Sequence, residues 1–197
     1  KKLFLTAAVA VSSLTFAQQF GAKAGMNVST ISDEGFDDTK SKVGYYAGVF
    51  MNVPVSESFS IQPEVLYNNL GSKVSSTVLG TTYSSTLNLD YVAVPVMFQY
   101  KATPQFYLEA GPEFGFLVNA KQKFDNGSSS IVTELDKEDF NSFNMGVGLG
   151  LGFDISKNVG LNARYVAGFS DITKESGPST DAKNKNNAFQ VGLNIKF

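Results

Sequence analysis

The stretch NMGVGLGLGF, residues 144–153, places glycine at 146, 148, 150 and 152 and sets Met145, Val147, Leu149, Leu151 and Phe153 around them. Glycine weakens a strand because it has no side chain to pack and the most conformational freedom to lose, so a row of it on one face marks close approach by other groups. The segment therefore reads as a strand with one bare face that something else must fill and one continuous apolar face. Which solvent each face meets decides the fold.

The same period of two runs through almost the whole chain after Gln19, and a period of two is the mark of a strand with two unlike faces. Eight strands are predicted, at about 20–28, 43–53, 59–68, 86–100, 105–118, 142–155, 159–168 and 188–197. In the second, Val43, Tyr45, Ala47, Val49, Met51 and Val53 oppose Gly44, Tyr46, Gly48, Phe50 and Asn52. In the fifth, Phe106, Leu108, Ala110, Phe114, Phe116 and Val118 oppose Tyr107, Glu109, Gly111, Glu113 and Gly115. In the last, Phe189, Val191, Leu193, Ile195 and Phe197 oppose Gln190, Gly192, Asn194 and Lys196. Connections near 54–58, 101–104 and 156–158 are short, while those at 29–42, 69–85, 119–141 and 169–187 are long and polar. This is the pattern of an all-β, eight-stranded antiparallel up-and-down barrel with its long loops at one end.

Two barrels compete. A soluble lipocalin-like barrel turns its apolar face inward around a ligand, and a transmembrane β-barrel turns it outward to lipid. The polar face here is mostly Gly, Ser, Asn and Gln, a poor coat against water and a good filling for a narrow lumen. The other face carries large apolar residues without a charge, as hydrocarbon requires. The transmembrane barrel is the better fit, and Gly146 to Gly152 then border a crowded interior.

Composition removes other classes. The chain of 197 residues suits one domain, carries a net charge of −2, and contains no cysteine and no histidine. Disulfides, thiolate nucleophiles, imidazole bases and the commonest zinc ligands are absent, and no basic segment suggests nucleic acid as a partner. Lys1 and Lys2 precede the apolar run LFLTAAVAVSSLTFA, with Thr15 and Ala17 three and one before Gln18. This predicts a cleaved signal peptide over 1–17 and a barrel domain over 18–197, exported to the outer membrane.

Several motifs in order resemble the PorT-like, porin-family outer-membrane β-barrel proteins of Gram-negative bacteria of the Bacteroidetes type. They are IQPEVLYNNLG at 61–71, YVAVP at 91–95, EAGPEFG at 109–115, ARYVAGFSDI at 163–172 and FQVGLNIKF at 189–197. The resemblance implies outer-membrane lipid as surroundings, the barrel-assembly machinery as a partner during biogenesis with Phe197 as its terminal aromatic signal, and neither an enzymatic activity nor a cofactor.

Chemistry-bearing residues are few. Lys23, Arg164 and Lys196 face Glu64, Glu109 and Glu113 on the lumen side, three charges of each sign. They are expected to form a lumen ion-pair network, because buried charges must be paired; the alternatives are a charged lining for a solute path, or acid–base work by Glu109 and Glu113. Asp33, Glu34, Asp37 and Asp38 form an acidic loop that is a weak candidate for calcium and lacks EF-hand spacing. Tyr45, Tyr67, Tyr91, Tyr100 and Tyr165 are read as interface-belt or packing residues. Pro63, Pro95 and Pro112 fall within strands, where local bulges are expected. A bulge near Tyr91 is also expected, since Leu87, Leu89 and Tyr91 share one face while Val92, Val94, Val96 and Phe98 lie on the other. The function expected is a structural or surface-interaction role through the four long loops, which offer a surface to an extracellular protein or glycan. A small pore for water or solutes, and an accessory to surface assembly or secretion, are the alternatives.

Overall fold

The computed structural model describes residues 18–32, 40–78, 81–127, 129–137, 140–172 and 184–197. The predicted signal peptide and the acidic loop with Asp33, Glu34, Asp37 and Asp38 lie outside them. The described residues form nine strands: β1 (Gln19–Ser32), β2 (Lys40–Pro54), β3 (Phe59–Val78), β4 (Thr81–Lys101), β5 (Phe106–Asp125), β6 (Ser130–Glu134), β7 (Phe143–Asp154), β8 (Val159–Asp171) and β9 (Lys185–Lys196). All are antiparallel to their neighbours. The order β4-β3-β2-β1-β9-β8-β7-β5 closes through a β4–β5 pairing, giving an eight-stranded barrel, with β6 attached only to the end of β5.

The alternation sorts the side chains as the sequence predicts. Phe20, Met26, Val43, Tyr45, Val49, Leu149, Leu151, Phe189 and Leu193 are exposed on the outer wall, while Lys23, Asn27, Tyr46, Phe50, Glu64, Leu66 and Tyr107 are buried inside. Hydrocarbon is the one solvent that accepts such a wall of apolar side chains over paired backbone.

Two expectations are corrected, and two are met with added detail. First, β3, β4 and β5 run well past their predicted ends, and β6 lies within the expected 119–141 loop. The β3–β4 ladder continues to Val78 opposite Thr81. Residues 72–77 and 82–86 are mainly Ser, Thr, Lys and Val; a strand wet on both faces has no apolar period by which to announce itself.

Second, the strand prolines make no bulges. Register is kept across Pro63, Pro95 and Pro112, with Pro63 opposite Val96 and Leu66 opposite Ala93 in one ladder, and Pro95 opposite Glu113 and Phe98 opposite Ala110 in the next. Pairing lapses for the two residues between these points. A proline deletes a donor without adding a residue, so the ladder opens a gap rather than shifting.

The bulge expected near Tyr91 is present, with its extra residue on the opposing strand. Asp90 faces Asn119 and Tyr91 faces Leu117, which leaves Val118 of β5 as the extra residue. Leu87, Leu89 and Tyr91 therefore keep the inward parity of Ala93 and Met97. Of the tyrosines read as belt or packing residues, Tyr91 is buried and packs with Ile31, Leu70, Leu89, Leu117, Ala120, Phe140, Ile172 and Ala188 in an internal apolar cluster. It is a packing residue, whereas Tyr45, Tyr67, Tyr100 and Tyr165 are exposed on the wall. A further irregularity in the β2–β3 ladder lies near Gly71, whose φ of 139° is open only to glycine and where a Cβ would collide with the Leu87 carbonyl oxygen.

Candidate functional site: a sealed lumen and a projecting sheet

The lumen is built around Arg164 of β8, which is 1 % exposed. Its guanidinium donates from Nη1 to Glu64 Oε2 at 2.9 Å and from Nη2 to Glu64 Oε1 at 2.8 Å, the two-pronged geometry that an arginine and a carboxylate share. Nε donates to Glu109 Oε1 at 2.8 Å. Lys23 Nζ adds a 2.8 Å bond to Glu64 Oε1, and Gln62 Nε2 another at 2.8 Å. Glu109 Oε2 accepts from Gln99 Nε2 at 3.0 Å, and Gln99 Oε1 in turn accepts from Asn52 Nδ2 at 2.8 Å. On the far wall Tyr46 Oη donates to Asn162 Oδ1, Asn162 Nδ2 to Asn194 Oδ1, and Asn194 Nδ2 to Tyr107 Oη, at 2.8, 2.7 and 3.0 Å.

Seven of the eight barrel strands send side chains into this layer, and β7 sends almost none. A Cβ on Gly148 would stand 3.3 Å from Arg164 Cδ, one on Gly150 would stand 3.0 Å from Glu109 Oε1, and one on Gly152 would overlap the Tyr107 ring. The glycine face of residues 146–152 is the space that Arg164, Glu109 and Tyr107 occupy.

The structure thus brings together Lys23, Glu64, Glu109 and Arg164 and separates the other two residues of the expected network. Lys196 Nζ bonds Asp154 Oδ2 at 2.5 Å at the end of the barrel where the turns are short. Glu113 is buried nearby, yet its Oε2 has no hydrogen-bond partner. Asp154 escapes sequence reasoning because it closes a strand beside a turn and resembles a solvated loop residue. Asn52, Gln62, Gln99, Asn162 and Asn194 carry an available signal, inward parity on a strand. Phe197 is 77 % exposed, and its backbone nitrogen donates to the Phe20 carbonyl at 2.9 Å.

Above the ion-pair layer, toward the long connections, the apolar cluster closes the lumen a second time. Phe140 and Ile172 reach it from beyond the barrel strands and are held by a 2.8 Å bond from the Asn141 nitrogen to the Ile172 carbonyl. The lumen is therefore shut by a charged layer and an apolar layer in series.

The outer wall changes character at the same height. Asn69, Asp90 and Asn119 align across β3, β4 and β5, with Asn69 Nδ2 and Asn119 Nδ2 donating to the two Asp90 oxygens at 2.5 and 3.0 Å. Buried Lys42 reaches this row from β2, bonding Asn69 Oδ1 at 2.5 Å. Just below it, the Tyr45 and Tyr67 rings stack at 6.1 Å. Beyond the polar row β3, β4, β5 and β6 continue as a four-stranded sheet, with about 25 Å of strand in β3 at roughly 3.3 Å per residue. Its exposed apolar side chains include Val74, Tyr83, Phe124 and Ile131 on one face. They border a groove of about 300 Å³ lined also by Ser76, Ser84 and Asp125.

The model of the outer membrane protein beta-barrel domain family matches residues 16–174. The chain belongs to that family. Among solved structures this outer-membrane barrel is similar to the attachment invasion locus protein Ail of Yersinia pestis, at 15 % identity and a TM-score of 0.52, covering 91 % of this chain and 98 % of that one. It is also similar to Neisserial surface protein A, at 14 % identity and a TM-score of 0.51, covering 90 % and 97 %. Ail has further been solved in complex with the heparin analogue sucrose octasulfate; that structure is 16 % identical with a TM-score of 0.51 and coverage of 91 % and 99 %. No curated protein matches the chain in sequence. At these identities the likeness speaks for the fold, and the barrel is an outer-membrane protein by family.

Proposed function

We propose that this outer-membrane barrel is a surface-interaction protein that binds an extracellular protein through the sheet projecting from β3 to β6. The observation that carries the reading is the combination of a lumen shut twice and a wet sheet that displays Val74, Tyr83, Phe124 and Ile131 around one groove. Exposed apolar clusters of this kind on a soluble surface mark contact sites. Charge on the same sheet is mixed, with Lys73, Lys121 and Lys123 beside Asp125 and Glu134, which favours a protein over a strongly anionic glycan of the kind bound to Ail.

Signal-peptide removal at Gln18, assembly through the terminal Phe197, and kinship with the PorT-like barrels of Bacteroidetes belong to the same reading and rest on the sequence motifs. Export leaves both termini in the periplasm, so the long connections and the projecting sheet face outward. A tag inserted after Ser129 is then labelled on intact cells and one inserted at Lys157 is not. Labelling only at Lys157 reverses the orientation and removes the surface role.

The competing small-pore reading has a direct test. Purified barrel reconstituted into planar bilayers is expected to give no steady single-channel current, since an eight-stranded interior is just wide enough to be filled by side chains and here is filled by Arg164, Glu64, Glu109 and Tyr107. Reproducible unitary currents from the wild type replace the surface reading with the pore.

A further inference from the structure

At the end of the barrel where the connections are long, β2, β3 and β5 carry Lys40, Lys42, Lys73, Lys121 and Lys123. Lys42 is buried and held by Asn69 Oδ1 and the Leu70 carbonyl. Alternation places the rest. Val74 and Phe124 line the groove, so their neighbours Lys73 and Lys123 stand on the reverse face of the sheet, which continues the lipid-facing wall of the barrel. There the register aligns Lys73 of β3, Thr86 of β4 and Lys123 of β5 in one row. The next row toward the membrane holds Asn88 and Lys121, and below it run Asn69, Asp90 and Asn119, where the apolar band ends.

The acids of this face have partners of their own. Asp90 accepts from Asn69 and Asn119, Glu134 is paired with Lys121 at 3.3 Å, and Asp125 stands 3.8 Å from Lys123. Among the described residues Lys73 has no acid opposite it in either ladder. Its register partners are Thr86 on one side and a second lysine, Lys40, on the other, and like charges set directly opposite one another destabilise a strand pair. Two strand spacings, about 10 Å, separate Lys73 from Lys123, with Thr86 between them and Asn88 just below. The row is a cradle of donors with an excess of positive charge, in a chain whose net charge is −2.

Height selects the ligand. The row lies four residues beyond Asn69, Asp90 and Asn119, which at roughly 3.3 Å per residue and a tilt of about 40° is about 10 Å above the edge of the hydrocarbon. A headgroup layer is about 5–7 Å deep on each side of a bilayer. Lysine lays its stem along a wall and carries its ammonium to polar surroundings, so Lys73 and Lys123 reach that layer from above. Tyr45 and Tyr67, stacked just below the polar row, mark the same boundary from beneath. We propose that Lys73, Thr86 and Lys123 bind the phosphate of an anionic lipid headgroup in the leaflet at this end of the barrel. One face of the projecting sheet then meets the lipid surface, and the face with the groove stays open to a protein. The inference rests on the lysine row and is independent of what the groove binds.

The test uses the full chain folded in a neutral detergent and titrated with phosphatidic acid or with phosphatidylcholine of the same acyl chains, bound lipids being counted by native mass spectrometry. The wild type is expected to retain one phosphatidic acid in preference to phosphatidylcholine. At about fivefold for each lysine beside an anionic lipid surface, Lys73→Gln combined with Lys123→Gln is expected to lower that preference about thirtyfold. Lys73→Arg keeps the charge and the preference, and circular dichroism confirms that each variant is folded. Lys101→Gln, at an exposed lysine of the opposite end, leaves the preference unchanged. Excess inorganic phosphate is expected to leave it unchanged too, because the acyl chains hold the lipid against the wall. A folded double variant with the wild-type preference overturns the site, as does a Lys101→Gln barrel that loses as much. A preference abolished by inorganic phosphate overturns it also, by showing a soluble anion in place of the lipid.

Discussion

Arg164→Ala is expected to lower the unfolding free energy of the barrel by about 3–5 kcal/mol, the cost of breaking a buried ion pair from one side. The substitution strips Glu64 of two bonds at 2.8 and 2.9 Å and Glu109 of one at 2.8 Å, leaving carboxylates that are 2 % and 1 % exposed beside Lys23 alone. Urea titration of the folded barrel in lipid vesicles measures the change. Lys121→Ala, at a surface pair whose members are 37 % and 80 % exposed, serves as the control and moves stability by less than about 0.5 kcal/mol. An Arg164→Ala barrel as stable as the wild type shows that water already fills the charged layer, and the closed-lumen account falls with it.

The second large effect is on the opposite face of the glycine strand. Leu149→Arg is expected to cost about 2–4 kcal/mol in the same titration, the penalty for a cation at the middle of a bilayer on a barrel wall. Leu149 sits centrally in β7, opposite Ala110 and Tyr165, and is 66 % exposed on the outer wall. In a soluble barrel that exposure would make arginine harmless. Ile131→Arg, equally exposed at 67 % but on the projecting sheet, is expected to be nearly neutral, because water rather than lipid surrounds it. Equal effects at the two positions would mean that the apolar band does not end at the row of Asn69, Asp90 and Asn119.

Both results follow from the alternation visible in residues 144–153, and the comparison of sequence with structure divides along that line. The inward or outward sense of Tyr46, Phe50, Glu64, Tyr107, Glu109 and Arg164 is legible because a strand of period two exposes its faces to different solvents. The projecting ends of β3, β4 and β5, with β6, are not legible, since water bathes both of their faces and erases the period. The prolines mislead for a related reason. A missing donor is visible at Pro63, Pro95 and Pro112, but the ladder's choice between a gap and a shift depends on strands elsewhere in the chain.

By itself, then, the sequence determined the barrel, its membrane and its inward charges, all properties set by local pattern and by the solvent that pattern requires. Only the tertiary structure decided which charges meet. Lys196 and Glu113 share the parity of the network residues, yet strand register places the first against Asp154 and the second beside Asn68 and Asn186, on a small cavity of the lumen. Register is a relation between strands, fixed by closure of the whole ring, and so the pairing of Arg164 with Glu64, 100 residues away, is written nowhere in the neighbourhood of either residue.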